Sequence, residues 1–131
     1  MLHHKTFVLG PDHEWVVFVH GAGGSSSIWY RQLREFRKHF NLLLIDLRGH
    51  GASQSALPTR DADGERYTFH EVAAEILDVM DHLEIPSAHF VGISLGTILI
   101  RTLGEIAPER IRSMVLGGAV TRLTFRSRFL V

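Results

Sequence analysis

The chain has 131 residues, with 14 Lys and Arg against 14 Asp and Glu, so its formal net charge is zero with the histidines neutral. Hydrophobic residues make up 45% and charged residues 21%, the balance of a folded domain; a chain of this length buries roughly two-thirds of its unfolded surface, enough for one core and not for two. This excludes disorder, collagen-like repeats, low complexity and any general electrostatic pull toward nucleic acid or an acidic membrane, and the absence of cysteine removes disulfides, thiolate catalysis and Cys-based metal sites.

The opening Met1-Leu2-His3-His4-Lys5 leads into the apolar run Thr6–Leu9, which Gly10-Pro11-Asp12 ends. That run reads as an edge strand. It is too short for a signal-peptide core, and no stretch is long enough to span a bilayer, so a cytoplasmic location without membrane contact is the expectation. Four further runs, Val16–Val19, Leu42–Ile45, Phe90–Ile93 and Met114–Leu116, are rich in branched or aromatic residues and lack polar alternation. Strands covered on both faces of a parallel sheet read this way.

Helical spacing fills the intervals. Trp29, Leu33 and Phe36 recur at helical steps after Ser25-Ser26-Ser27. Leu47–Arg66, with Gly49, Gly51, Pro58, Gly64 and the cluster Asp61, Asp63 and Glu65, reads as a surface loop. A second helix follows, with Val72, Ala73, Ile76, Leu77, Met80 and Leu83 on one apolar stripe and Glu75, Asp78, Asp81 and Glu84 mostly off it. Thr68 and Glu71 form a capping box that starts this helix, and Pro86 stops it. A third helix spans about Leu95 to Ile106, before Pro108. Strands alternating with helices predict an α/β fold of three layers with a mostly parallel sheet and right-handed crossovers, in a single domain over residues 1–131.

The sharpest local feature is Gly92-Ile93-Ser94-Leu95-Gly96, where a buried strand ends and a helix begins. A serine on so tight a turn adopts a strained backbone, and the positions two before and two after it need near-absent side chains. The strain lifts the Ser94 hydroxyl from the sheet edge, and the helix N-terminus beneath favours developing negative charge. Ser94 is therefore the candidate nucleophile.

Upstream, His20-Gly21-Ala22-Gly23-Gly24 follows a strand, where glycines let backbone N–H groups turn toward a ligand or an oxyanion. A dinucleotide site is the rival reading, with Asp46 as the acid after the next strand, but Ser26 stands where a third glycine belongs. Asp46-Leu47-Arg48-Gly49-His50-Gly51-Ala52-Ser53 reads alone as a structural turn in which Asp46 and Arg48 could pair.

In their order and spacing these three segments resemble the α/β-hydrolase family, over nearly the whole chain from about Trp15 to Val120. The resemblance implies ester hydrolysis through an acyl-enzyme on Ser94, with the backbone N–H groups of Ala22 and Leu95 as the oxyanion hole. His20, Gly21, Gly23, Gly92 and Gly96 would frame that site, and no cofactor or metal is called for. Ile93 stands where a histidine often precedes the nucleophile, and Thr97 where a glycine is common. A serine nucleophile points away from dehalogenase or epoxide-hydrolase chemistry.

A serine is a weak nucleophile until a base takes its proton, and the base needs an orienting acid. The resemblance places both partners later in the chain, yet Gly117 to Val131 contains no Asp, Glu or His. His50, His70, His82 and His89 read as solvated or core histidines. A serine–lysine arrangement fails, since the lysines are Lys5 and Lys38 and Thr97 stands third after Ser94. No paired histidine spacing on one helix face suggests a metal site.

The expectation is the N-terminal part of a serine hydrolase acting on a small ester-like substrate. It would be truncated after the strand ending near Leu116, without its lid and C-terminal strands, and a poor catalyst by itself. A non-catalytic ligand-binding module is the alternative. The strand Ile111–Leu116 should present an open edge for self-association or completion by another chain. The basic and apolar tail Arg122–Val131 reads as the first turns of a lid helix.

Overall fold

The computed structural model describes residues 1–56 and 68–118. The Asp61, Asp63 and Glu65 cluster and the tail Arg122–Val131 lie outside the described residues. Strands β1 (His4–Phe7), β2 (Trp15–Val19), β3 (Asn41–Ile45), β4 (Ala88–Ile93) and β5 (Ile111–Gly117) form one sheet in the order β1-β3-β2-β4-β5. β1 runs antiparallel to β3, and every other pairing is parallel. The helices are α1 (Tyr30–Phe36), α2 (Phe69–His82) and α3 (Leu95–Ile106).

The alternation of side chains along β2 explains both the layers and the unbroken apolar run. Val17 and Val19 pack with Ala73, Ile76 and Met80 of α2 and Leu99, Ile100 and Leu103 of α3. Val16 and Phe18 point the other way, onto Trp29 and the Leu33 and Phe36 side chains of α1. A strand covered on both faces has no position for a polar residue. The result is the three-layer α/β architecture that the alternation of elements predicts.

Local boundaries differ from expectation in instructive ways. The edge strand occupies His4–Phe7 rather than Thr6–Leu9, because the amides of Leu9 and Gly10 donate to the Asn41 side-chain oxygen, at 2.6 and 3.0 Å, in place of a strand partner. The Asn41 amide nitrogen in turn donates to the carbonyls of Gly10 and His13, each at 2.9 Å. This buried asparagine therefore closes the β1–β2 turn with all of its hydrogen bonds made to backbone. Asn41→Ala strands those backbone groups, and a loss of about 2–3 kcal/mol is expected, read as a drop in the urea midpoint. A midpoint within about 0.5 kcal/mol of the parent chain would show that water replaces the asparagine freely.

The capping box on α2 is present, with the Glu71 amide donating to Thr68 Oγ1 and the Thr68 amide to Glu71 Oε2, each at 3.2 Å. Its end is set earlier than Pro86. Glu84 takes a left-handed backbone at φ 57°, and the Ile85 amide reaches back to the Met80 carbonyl at 2.9 Å, a Schellman closure that buries Ile85. Val79, absent from the sequence-derived stripe, is fully buried, while Leu77 and Leu83 lie at its rim. At the far side of the sheet β5 pairs with β4 through a bulge at Ala88/His89, and among the described residues no strand lies beyond it. Among those residues no helix is long and apolar enough to cross a membrane.

Candidate active site

Because β3 lies on one side of β2 and β4 on the other, the chain direction across the sheet reverses at β2. In such sheets the loops beyond the C-terminal strand ends part at that point and leave a crevice. The loops after β2, β3 and β4 all meet there, and they carry the three segments singled out in the sequence.

Ser94 sits between β4 and α3 with φ 49° and ψ −116°, one of two described non-glycine residues at positive φ, and it is exposed. The surrounding backbone fixes this conformation. Its amide donates to the Gly117 carbonyl at 3.2 Å, and its carbonyl accepts from the Thr97 amide at 2.9 Å and from Thr97 Oγ1 at 2.6 Å. Thr97 thus anchors the turn through its hydroxyl. The Ser94 hydroxyl makes no hydrogen bond among the described residues. Nothing local holds it down, so it is free to meet a ligand.

The loop after β2 backs onto this serine. A Cβ placed on Gly21 would stand 3.2 Å from Ser94 Cβ and 3.3 Å from the Ile93 carbonyl oxygen. His20, fully buried, donates from Nδ1 to the Gly21 carbonyl at 2.7 Å, while its Nε2 accepts from the Leu47 amide at 3.0 Å. A carbonyl only accepts and an amide only donates, so the ring is neutral with its proton on Nδ1. Gly24 adds a second donor to the Gly21 carbonyl at 3.1 Å. That carbonyl shares a peptide plane with the Ala22 N–H, so His20 and Gly24 fix the direction in which Ala22 points its amide. The amides of Ala22 and Leu95 have no hydrogen-bond partner among the described residues.

The segment after β3 supports this loop. Asp46 Oδ1 accepts from the Ser26 amide at 2.7 Å, and Oδ2 accepts from the Ala52 amide at 3.0 Å. Its carboxylate therefore caps two turns at once, the 3₁₀ turn Ser26–Trp29 and the 3₁₀ turn Gly51–Ala56. Arg48 pairs with Glu75 of α2 at 2.8 Å, an ion pair across the layers. Asp46 is thereby spent on structure, and the dinucleotide reading, which needs that acid for a ribose, loses its support.

Two titrations follow from these contacts. Burial above all holds His20 below the usual imidazole range; the bond to the Gly21 carbonyl opposes this, nearby His50 adds to it, and Asp46 pulls the other way. Burial alone would raise Asp46, but the amides of Ser26 and Ala52 bring it below the usual carboxylate range. With His20 lowered in the folded chain, the unfolded chain binds more protons just below pH ~6.5, so stability is full above that pH and declines beneath it. Asp46 works at lower pH: its contribution is present above ~3.9 and disappears as pH falls through its depressed value. Between about pH 7 and about pH 5 the urea midpoint is expected to fall further than in His20→Asn, which keeps every other histidine. An equal fall in the two chains would mean that His20 charges as freely in the fold as outside it.

The structure thus brings together His20, Gly21, Ala22, Gly23, Gly92, Ser94, Leu95 and Gly96, and adds Asp46, His50 and Thr97 as supports. His89 is not among them. It lies at the opposite end of β4, bonded to Glu14 and, at 2.6 Å, to Ser113; Arg112 pairs with the same Glu14 at 2.9 Å. The signal for Asp46 and His50 was visible in the sequence as a motif, but its roles depend on which amides the fold brings within reach.

A mostly parallel sheet layered between helices, with a serine at positive φ where a strand meets a helix at its switch point, defines an α/β protein with its candidate site at that point. Residues 14–129 match the alpha/beta hydrolase fold family, and the chain belongs to that family. It is 27% identical over 112 residues to 3-oxoadipate enol-lactonase 2 of Acinetobacter baylyi, covering 86% of this chain and 39% of that protein. Its structure is similar to that of a hydrolase from Pseudomonas aeruginosa PA01, with a TM-score of 0.85, 30% identity, and coverage of 98% of this chain and 45% of the other. The enol-lactonase of Burkholderia xenovorans LB400 is similar at a TM-score of 0.76 and 30% identity, over 86% of this chain and 41% of that one. The chain spans less than half the length of each of these relatives.

Proposed function

We propose that this chain carries the nucleophile and oxyanion-binding half of a serine hydrolase for carboxylic esters or related acyl compounds. The observation that carries the reading is the exposed Ser94, held at φ 49° with its hydroxyl unengaged among the described residues. Ser94 Oγ attacks the acyl carbon and loses its proton to a base. The amides of Ala22 and Leu95 receive the oxyanion as the carbonyl π bond opens. Its collapse expels the alcohol, which takes up a proton, and water then releases the acid from the acyl-serine. A lactone is a cyclic ester, so relatives named as enol-lactonases favour this substrate class.

We assign no base within the described residues. His20 and His50 each commit Nε2 to a backbone amide, and His89 lies at the far end of β4. On this reading the chain alone turns over esters poorly, and the base and acid arrive with further polypeptide, for which the side of β5 with no strand beyond it among the described residues is the natural point of addition. A fluorophosphonate probe tests the assignment, because it reports a reactive serine directly. Applied to the natural protein, it should modify Ser94, as mapped by mass spectrometry. A folded protein left unmodified at Ser94 would support a non-catalytic ligand-binding module instead.

A further inference from the structure

The His20–Gly24 loop is held from two sides, and the second side is a histidine from elsewhere in the chain. His50 Nε2 accepts from the Gly23 amide at 2.9 Å, and its Nδ1–H donates to the Arg48 carbonyl at 3.0 Å. The His50 ring lies 5.1 Å from the His20 ring, tilted by 55°. The two histidines divide a single task. His20 grips the Gly21 carbonyl, in the peptide that carries the Ala22 N–H. His50 grips the Gly23 N–H, in the peptide that carries the Ala22 carbonyl. Ala22 is therefore clamped through both of its flanking peptide planes, each by a neutral imidazole protonated on Nδ1. Gly23 itself, at φ 76°, has no Cβ to restrain it, so the bond to His50 supplies the restraint that a side chain would otherwise give.

The two rings differ in access. His20 is fully buried, whereas His50 is half-buried and Gly23 is exposed. We propose that His50 is the positioning residue for the Ala22 amide, holding the loop through the Nε2 acceptor that the Gly23 N–H meets. The inference rests on the reading of Ala22 as an oxyanion donor, but its primary test does not.

Nitrogen NMR of the full chain, followed through amide exchange, reads the clamp directly. His50→Phe, which offers no acceptor, should cost Gly23 about fivefold in protection, the factor one net hydrogen bond is worth, with an unchanged circular dichroism spectrum. His50→Gln, whose amide oxygen takes over the accepting role, should keep Gly23 protected. Gly23 protection that ignores His50→Phe overturns the proposal. Fluorophosphonate labelling of the same variants made in the natural protein separates the two readings. Labelling at Ser94 that is slowed in His50→Phe and restored in His50→Gln supports positioning of Ala22. Unchanged labelling despite an unprotected Gly23 refutes it. If Ser94 is never labelled while Gly23 still follows His50, the nucleophile reading fails and the clamp remains.

Discussion

Gly96→Ala is expected to cost at least about 3 kcal/mol, enough to leave much of the population unfolded in a domain of ordinary stability. A Cβ on Gly96 would stand 2.2 Å from the Val19 carbonyl oxygen, 2.9 Å from its carbon and 3.0 Å from the His20 carbonyl oxygen. All three are backbone atoms at the end of the central strand, so no side-chain rotation can relieve the overlap. Either α3 lifts from the sheet or β2 moves, and each disturbs the loop beside Ser94. Gly92 provides the internal contrast. A Cβ there would meet the Ile100 Cδ1 methyl at 2.5 Å and the Gly96 backbone at 3.1 Å. The methyl is the far end of a flexible side chain, so Gly92→Ala should cost only about 1–2 kcal/mol. Urea midpoints for the pair check the ranking, and equal losses would show that α3 is free to shift against β2.

The second expected result couples stability to chemistry. Ser94→Gly should abolish fluorophosphonate labelling and at the same time raise stability by about 1 kcal/mol, a few degrees in melting temperature. A non-glycine residue at positive φ is strained by about 1–3 kcal/mol, whereas glycine accepts that backbone without a clash. Part of the gain is offset by the greater freedom of glycine in the unfolded chain, about 0.5–1 kcal/mol. Ser94→Ala is the matching variant: it keeps a Cβ and therefore the strain, so it should lose labelling without becoming more stable. If the glycine variant is no more stable than the alanine one, the backbone at Ser94 is relaxed, and the exposed hydroxyl owes nothing to strain.

Much of this was legible from the order of residues because it followed from period and punctuation. The apolar runs at Val16–Val19 and Leu42–Ile45 announced strands covered on both faces, and Thr68 with Glu71 announced the start of α2. The Gly92–Gly96 pattern located the turn at Ser94 because its physical requirements are local. What could not be read were contacts between segments distant in the chain. Asn41 looks like the first polar residue before a strand, yet it terminates β1 by bonding the Leu9 and Gly10 amides. Asp46 reads as a member of its own turn, and nothing in the order of residues shows that its carboxylate takes the Ser26 amide from another loop. Glu84 gives no hint of a left-handed backbone, since only the burial of Ile85 makes that conformation worthwhile.

The wall that Gly96 faces belongs to β2, a strand far upstream of the motif it serves. A peptide spanning only β4 and α3 would contain every residue of the Gly92–Gly96 pattern and would lack that wall. Such a peptide would relax into ordinary backbone and bring its serine no special reactivity. The five-residue pattern is therefore a record of where the rest of the domain presses, and its chemistry resides in the assembled sheet rather than in the segment that spells it.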